Sequence, residues 1–102
     1  MIKLALFVRL DAKPGKEAQV AAFLEAGLAL ALEETGTPIW FALRLSESSF
    51  GIFDAFTDEA DRQAHLDGPI AQALMANAPE LLAGPPVIER IDVLGLKNVA
   101  AD

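Results

Sequence analysis

Fifteen acidic against eight basic side chains give this 102-residue chain a formal net charge of −7. That argues against a nucleic-acid partner or an anionic membrane, since both call for a positive surface field. The absence of cysteine excludes disulfides, thiolate metal sites and cysteine nucleophiles, and fits a reducing, cytoplasmic setting. The length points to one domain over residues 1–102, large enough to bury a core without disulfide or metal staples.

The run "IKLALFVRL", residues 2–10, is rich in branched and aromatic side chains and gives way to Pro14-Gly15, which predicts a strand. It reaches Asp11 too soon for a spanning helix and lacks a small-residue cleavage site, so neither an anchor nor a signal peptide is expected. From Lys16 the period changes. Val20, Phe23, Leu24, Gly27, Leu28 and Ala31 recur at helical spacing until Thr35-Gly36 stops the helix before Pro38. "PIWFALRLS" and "SFGIFDAFT" are two β-type runs joined by a Ser/Glu-rich turn, a hairpin pattern. Thr57 or Asp58 then caps a short helix ending at Gly68. Pro69 opens a further helix with Ile70, Ala73, Leu74, Asn77 and Ala78 on one side, interrupted at Pro79. "VIERIDVLGLKNV", residues 87–99, is the last strand. The order β-α-β-β-α-β predicts an α+β, ferredoxin-like fold with an antiparallel sheet.

Both sheet faces read as apolar. With residues 45 and 50 paired across the hairpin, one face presents Ile39, Phe41, Leu43, Leu45, Phe50, Ile52 and Phe56, interrupted by Asp54. The other presents Trp40, Ala42, Arg44, Gly51, Phe53 and Ala55. An antiparallel sheet usually shows water one polar face, and the helices of so short a unit cover only one. At about 25 cal/mol per Å² of apolar area, an uncovered face forfeits several kcal/mol. A second copy of the same sheet is the simplest cover, so a homodimer packed sheet on sheet is expected.

The segment "GIFDAFTDEADRQAHLDGPI" resembles the signature of the antibiotic biosynthesis monooxygenase family, small dimeric α+β barrel proteins. Its members carry a strand ending in an acid, an aromatic two residues on, a polar helix start, a histidine eleven residues after the acid and a small-residue–Pro step. Here these are Asp54, Phe56, Asp58-Glu59, His65 and Gly68-Pro69. The resemblance implies oxygenation of a small quinol, phenol or polyketide-like aromatic with O2 and without metal or other cofactor. In that chemistry the deprotonated substrate supplies electrons to O2, and the protein supplies a base, a dry pocket and orientation. The chain departs from the pattern in having no tyrosine, so the proton donor suggested for the polyketide branch has no counterpart. Haem-degrading relatives resemble an Asn on the first strand, a Trp on a central strand and a helical His. Here the first strand has no Asn and Trp40 lies on the second.

No Gly-rich phosphate loop, paired-histidine motif or nucleophile elbow occurs, so five residues carry the candidate chemistry. His65, the single histidine, is a general base with Asp54 orienting it, or else a helix-end residue partnered by Asp61 four positions earlier. Asp54 interrupts an apolar face, where a carboxylate must be hydrogen-bonded or kept protonated. If His65 only ends a helix, Asp54→Asn is expected to harm folding more than His65→Gln. Trp40, Arg44 and Asn77 are candidate contacts for a small apolar or aromatic ligand. Each has a structural alternative: Trp40 as core or dimer interface, Arg44 beside Gly51 paired with an acid across the dimer, and Asn77 capping backbone released by Pro79. Three functions remain open: a cofactor-independent monooxygenase, a non-catalytic dimeric ligand-binding or stress-type protein, and a haem-degrading enzyme.

Overall fold

Branched and aromatic residues draw Leu4–Asp11 into strand β1, in which Leu6, Val8 and Leu10 are buried while Arg9 and Asp11 reach solvent. The structure, a computed structural model, describes residues 1–97. After β1 come helix α1 (Glu17–Glu33), strands β2 (Ile39–Arg44) and β3 (Ser49–Phe56), helices α2 (Glu59–Leu66) and α3 (Pro69–Leu81), and strand β4 (Val87–Asp92). The four strands are antiparallel in the order β2-β3-β1-β4, the ferredoxin-like arrangement expected from the element order. No described helix is long and apolar enough to cross a membrane.

One face of α1, carrying Val20, Leu24, Gly27 and Ala31, is buried. Leu28, expected on that face, is exposed, because it lies one position off the stripe that meets the sheet. Asp58 caps α2, its Oδ1 accepting from the Asp61 N–H at 2.9 Å. Arg62 anchors the same helix to the sheet. Its guanidinium is held by Glu59 at 2.6 Å and donates to the carbonyls of Ala5 on β1 and Ile91 on β4, at 3.2 and 3.4 Å. Pro69 stands at the start of α3, where a missing N–H costs nothing.

Three expectations need correcting. Pro79 lies inside α3 and does not end it. The helix runs only two residues further, and buried Ala78, Leu81 and Leu82 hold that last turn on the core while Lys13 Nζ donates to the Pro79 carbonyl at 2.6 Å. The last strand ends at Asp92, where pairing with β1 stops at Leu4; Asn98 and Val99, expected to continue it, lie outside the described residues.

The third correction is the hairpin register. Leu45 N–H donates to the Ser49 carbonyl at 2.8 Å and Ser49 N–H donates to Ser46 Oγ at 3.2 Å, so a shorter loop places Arg44, not Leu45, opposite Phe50. A one-residue slip turns every side chain of a strand over. Trp40, Ala42 and Arg44 therefore join Phe50, Ile52, Asp54 and Phe56 on the helix side. Ile39, Phe41 and Leu43 join Gly51, Phe53 and Ala55 on the side no helix covers.

Candidate functional site

The apolar alternation of β3 buries Phe50, Ile52 and Phe56 under the helices, and Asp54 takes the remaining inward position with 1% of its surface exposed. Capping by Asp58 fixes where α2 starts, and two turns later the helix delivers His65 over β3. His65 Nε2 lies 2.8 Å from Asp54 Oδ2. Its ring is tilted against Phe56, with centroids 5.4 Å apart. On the other side, His65 Nδ1 lies 2.6 Å from Oε1 of Glu34, the residue that ends α1. Thr37 Oγ1 donates to the same Glu34 oxygen at 2.8 Å and stands 3.4 Å from Nδ1. One buried imidazole thus joins the end of α1, the centre of β3 and the last turn of α2 through two carboxylates.

Burial pushes the His65 pKa down, but the hydrogen-bonding contacts with Asp54 and then Glu34, with their negative charges, outweigh it and raise the pKa above the ordinary 6.5. The array is nevertheless incompletely satisfied. Asp54 Oδ1 is buried with no partner, while Oδ2 faces His65 Nε2 at 2.8 Å as an ion pair. Glu34 Oε2 and Trp40 Nε1 are also buried without a partner. Trp40 is the direct cross-strand neighbour of Asp54.

A cleft of about 280 Å³ opens on the Glu34 end of the array, lined among others by Thr37, Asp61, His65 and Gly68. Among the described residues no three His, Cys, Asp or Glu side chains are grouped so as to hold a metal ion.

Of the five residues nominated by the sequence, Asp54 and His65 come together, while Trp40, the cross-strand neighbour of Asp54, borders a different cleft with Leu24 and Leu28. Trp40 rests against Gly27 of α1, where an added Cβ would come within 3.4 Å of the indole. Arg44 is elsewhere: it lies over the Phe50 ring at 4.7 Å and donates to the Glu47 carbonyl at 3.2 Å. Its expected neighbour Gly51 faces the other side, where the Phe7 ring fills the space a Cβ would need. Asn77 is exposed and its Nδ2 donates to the Ala73 carbonyl of its own helix at 2.8 Å, four residues back rather than to the carbonyl that Pro79 frees. Nor is Asp61 the partner of His65; it accepts from Thr57 Oγ1 at 3.4 Å.

Glu34 and Thr37 were missed by the sequence reading. A signal existed, since α1 ends in acids with no base in its last turn, where the helix dipole disfavours negative charge. Such an end calls for a cation from elsewhere in the fold.

No protein-family model matches the chain, and no curated protein matches it. Solved structures do. A protein of unknown function from Nitrosomonas europaea, NE2512, is 60% identical with a TM-score of 0.95, the match covering 99% of this chain and 98% of that one. A second Nitrosomonas europaea protein, provisionally named an antibiotic biosynthesis monooxygenase, is 15% identical with a TM-score of 0.79 over 90% of each chain. One from Chloroflexus aurantiacus with the same provisional name is 18% identical, with a TM-score of 0.72 over 96% of this chain and 99% of that one. The chain therefore belongs to one family with NE2512, and its fold is that of the proteins provisionally named antibiotic biosynthesis monooxygenases.

Proposed function

We propose that this protein is a monooxygenase that needs no metal or organic cofactor and oxidises a small quinol, phenol or related aromatic with O2. The observation that carries the reading is the buried Glu34–His65–Asp54 array beside a small cleft; the shared fold supports it by analogy only. Chemistry of this class begins when an activated CH2, or its enol, loses a proton. The resulting anion passes electrons to O2 and binds it as a peroxide on carbon. Protonation and loss of water then leave one oxygen atom as a carbonyl, so CH2 and O2 become C=O and H2O. The protein's share is to take the first proton, hold the anion and keep bulk water out. Asp54 and His65 form the core of that proton-handling unit, Asp54 fixing the ring from its buried end. Trp40, across the strand pair from Asp54, is the aromatic contact in this reading.

The working unit in this reading is a homodimer. The face of the sheet away from the helices carries Phe41 at 54% and Val87 at 55% exposure, with Phe7 and Phe53 half-buried between them. A second copy of that face is its natural cover.

Anaerobic and aerobic incubation with a reduced naphthoquinol or anthrone, in metal-free buffer, tests the activity. One O2 consumed per substrate, above the autoxidation rate and lost with His65→Gln, is the expected result; uptake at the autoxidation rate alone overturns it. One observation favours a second reading, a non-catalytic dimer that binds a small apolar ligand. Both ring nitrogens of His65 are already engaged, as in a clamp that only ties three elements together.

A further inference from the structure

Beyond β4 the chain carries two leucines into solvent, and at the opposite edge of the sheet an apolar cleft stands open. The Val93 N–H still donates to the Lys3 carbonyl at 2.8 Å, but residues 94–97 form neither helix nor strand, and Leu94 is 100% exposed and Leu96 50%. Two residues apart, they share one side of an extended chain. Around Gly95, between them, no described atom comes within 4 Å of where a Cβ would stand. The cleft lies between α1 and β2, measures about 470 Å³ and is lined by Leu24, Glu25, Leu28, Trp40, Phe41 and Ala42. Leu28, and Leu32 one turn further along α1, are 47% and 77% exposed. We propose that residues 93–97 of a second copy close this cleft, the partner's Leu94 and Leu96 resting on Leu28 and Trp40. The proposal takes up the homodimer described above and is independent of the oxygenase chemistry.

Three observations select a second copy. The first is reach. β3 and β1 separate β2 from β4, three strand spacings or roughly 14 Å. A chain advances at most about 3.6 Å per residue, so Leu94, two residues past Asp92, falls short of its own chain's cleft. The second is symmetry. β1 is antiparallel to β3 and to β4, and β2 is antiparallel to β3, so β2 and β4 run in opposite directions. Ala5 pairs with Ala55 and with Ile91, and Ala55 with Ile39, which puts Ile39 and Ile91 at one level of the sheet. A two-fold axis parallel to the strands, between two sheets packed open face to open face, preserves direction and level and exchanges the edges. Each β4 then lies antiparallel over the partner's β2, and the residues after Asp92 emerge where β2 begins, beside Trp40 and the last turns of α1. There an extended segment can pair the outer backbone groups that an edge strand leaves free. The third is charge. Lys97 is the only charged residue from Val93 to Lys97, and α1 ends at Glu33 with no base in its last turn, where the helix dipole favours a cation. Closed in this way, the cleft that Trp40 borders is built from two chains.

The chain has no cysteine and a single tryptophan, Trp40, which provides two clean probes. Leu94→Cys and Leu28→Cys proteins, mixed at low concentration to exchange subunits and then mildly oxidised, should give a disulfide-linked pair of chains, because a disulfide forms once the Cα atoms come within roughly 7 Å. Neither protein should cross-link alone, since the axis holds the two copies of each position apart. Leu94→Asp should raise the dimer dissociation constant about tenfold or more, the change expected from losing one buried leucine, and should shift Trp40 emission to the red. Leu94→Met should do neither. Leu94 is fully exposed in the single chain, so folding does not depend on it. No mixed disulfide, a disulfide closed within one chain of the Leu28→Cys/Leu94→Cys double variant, or an unchanged dissociation constant and emission in Leu94→Asp overturns the proposal. If it fails while the wild type still sediments as a dimer, the open face alone holds the copies together; a wild-type monomer would remove the homodimer and this closure with it.

Discussion

The two faces of the sheet are polarised the wrong way round for stability alone. Under the helices, where a carboxylate is costly, Asp54 sits 1% exposed among Phe50, Ile52 and Phe56. On the other face, where water should meet polar side chains, Phe41 is 54% exposed beside half-buried Phe7 and Phe53. Folded chains place charges outside and large apolar groups inside unless something compensates. On the covered face the compensation is visible: His65 stands between Asp54 and Glu34 and takes a raised pKa for it. On the open face no described residue supplies a comparable partner. Departures from local consistency tend to mark working surfaces; in the function proposed above, one is the site and the other the interface.

The largest expected effect comes from breaking the open face. Phe53→Glu puts a charge at its centre, opposite Phe7 and Phe41 in the register, and leaves the helix-side core untouched. In sedimentation at micromolar concentration the wild type should run as a dimer, and the variant as a monomer or as insoluble protein. Charge changes on the exposed side of α1 should do neither. A wild-type monomer would remove the argument from sheet coverage.

On the covered face the array should behave as one device. His65→Gln and Asp54→Asn should each lower turnover on the order of a hundredfold, and the double variant should lose little more, since groups acting together are not additive. Their stabilities should differ in the order opposite to that expected from the sequence. Asp54→Asn leaves His65 still paired with Glu34, whereas His65→Gln strands two carboxylates, and leaving buried charge uncompensated costs about 3 kcal/mol. Full turnover in His65→Gln would leave the imidazole a structural clamp.

How much of this contrast was legible follows from which contacts are local. The element order, the Asp58 cap and the Pro69 helix start are written in neighbouring residues, and they were readable. So was the candidacy of Asp54, because an acid in an apolar alternation is anomalous wherever the strand sits. Which face β2 shows to the helices was not, because hydrogen bonds of Leu45 and Ser46 with Ser49 set the loop length and thereby turn Trp40 and Arg44 over. Glu34 stayed hidden because its partner lies 31 positions away, and no periodicity joins the end of one helix to the last turn of another. Arg44 and Asn77 looked like ligand contacts by residue type, yet a ring and a backbone carbonyl satisfy them locally.

A pH titration of stability sharpens the covered-face half. The folded pKa of His65 is raised above 6.5, by Asp54 and Glu34 against the opposing effect of burial. The folded state therefore binds its proton more tightly than the unfolded chain. The stabilisation is complete below the unfolded value near 6.5 and is lost as pH rises through the folded pKa. Denaturant midpoints should fall over that window in the wild type and stay flatter in His65→Gln. Equal slopes would mean that the imidazolium does not hold the array together.

The smallest effect tests what Trp40 does there. Gly27 faces the indole from α1 with 3.4 Å left for a methyl group, at the near edge of ordinary contact, so Gly27→Ala should fit with a shift of a few tenths of an ångström. Replacing a helix-interior glycine by alanine gains about 0.8–1.0 kcal/mol of helix propensity, and the contact should return only part of it, so the melting temperature should rise slightly. If Trp40 is held by packing alone, turnover should not change. A stability gain with a loss of turnover would instead show that the glycine keeps the indole free to move against a ligand, and would place Trp40 within the working half of the covered face. A fall in melting temperature would mean that the indole cannot yield even that far, and would make the Gly27–Trp40 contact part of the core rather than the wall of a site.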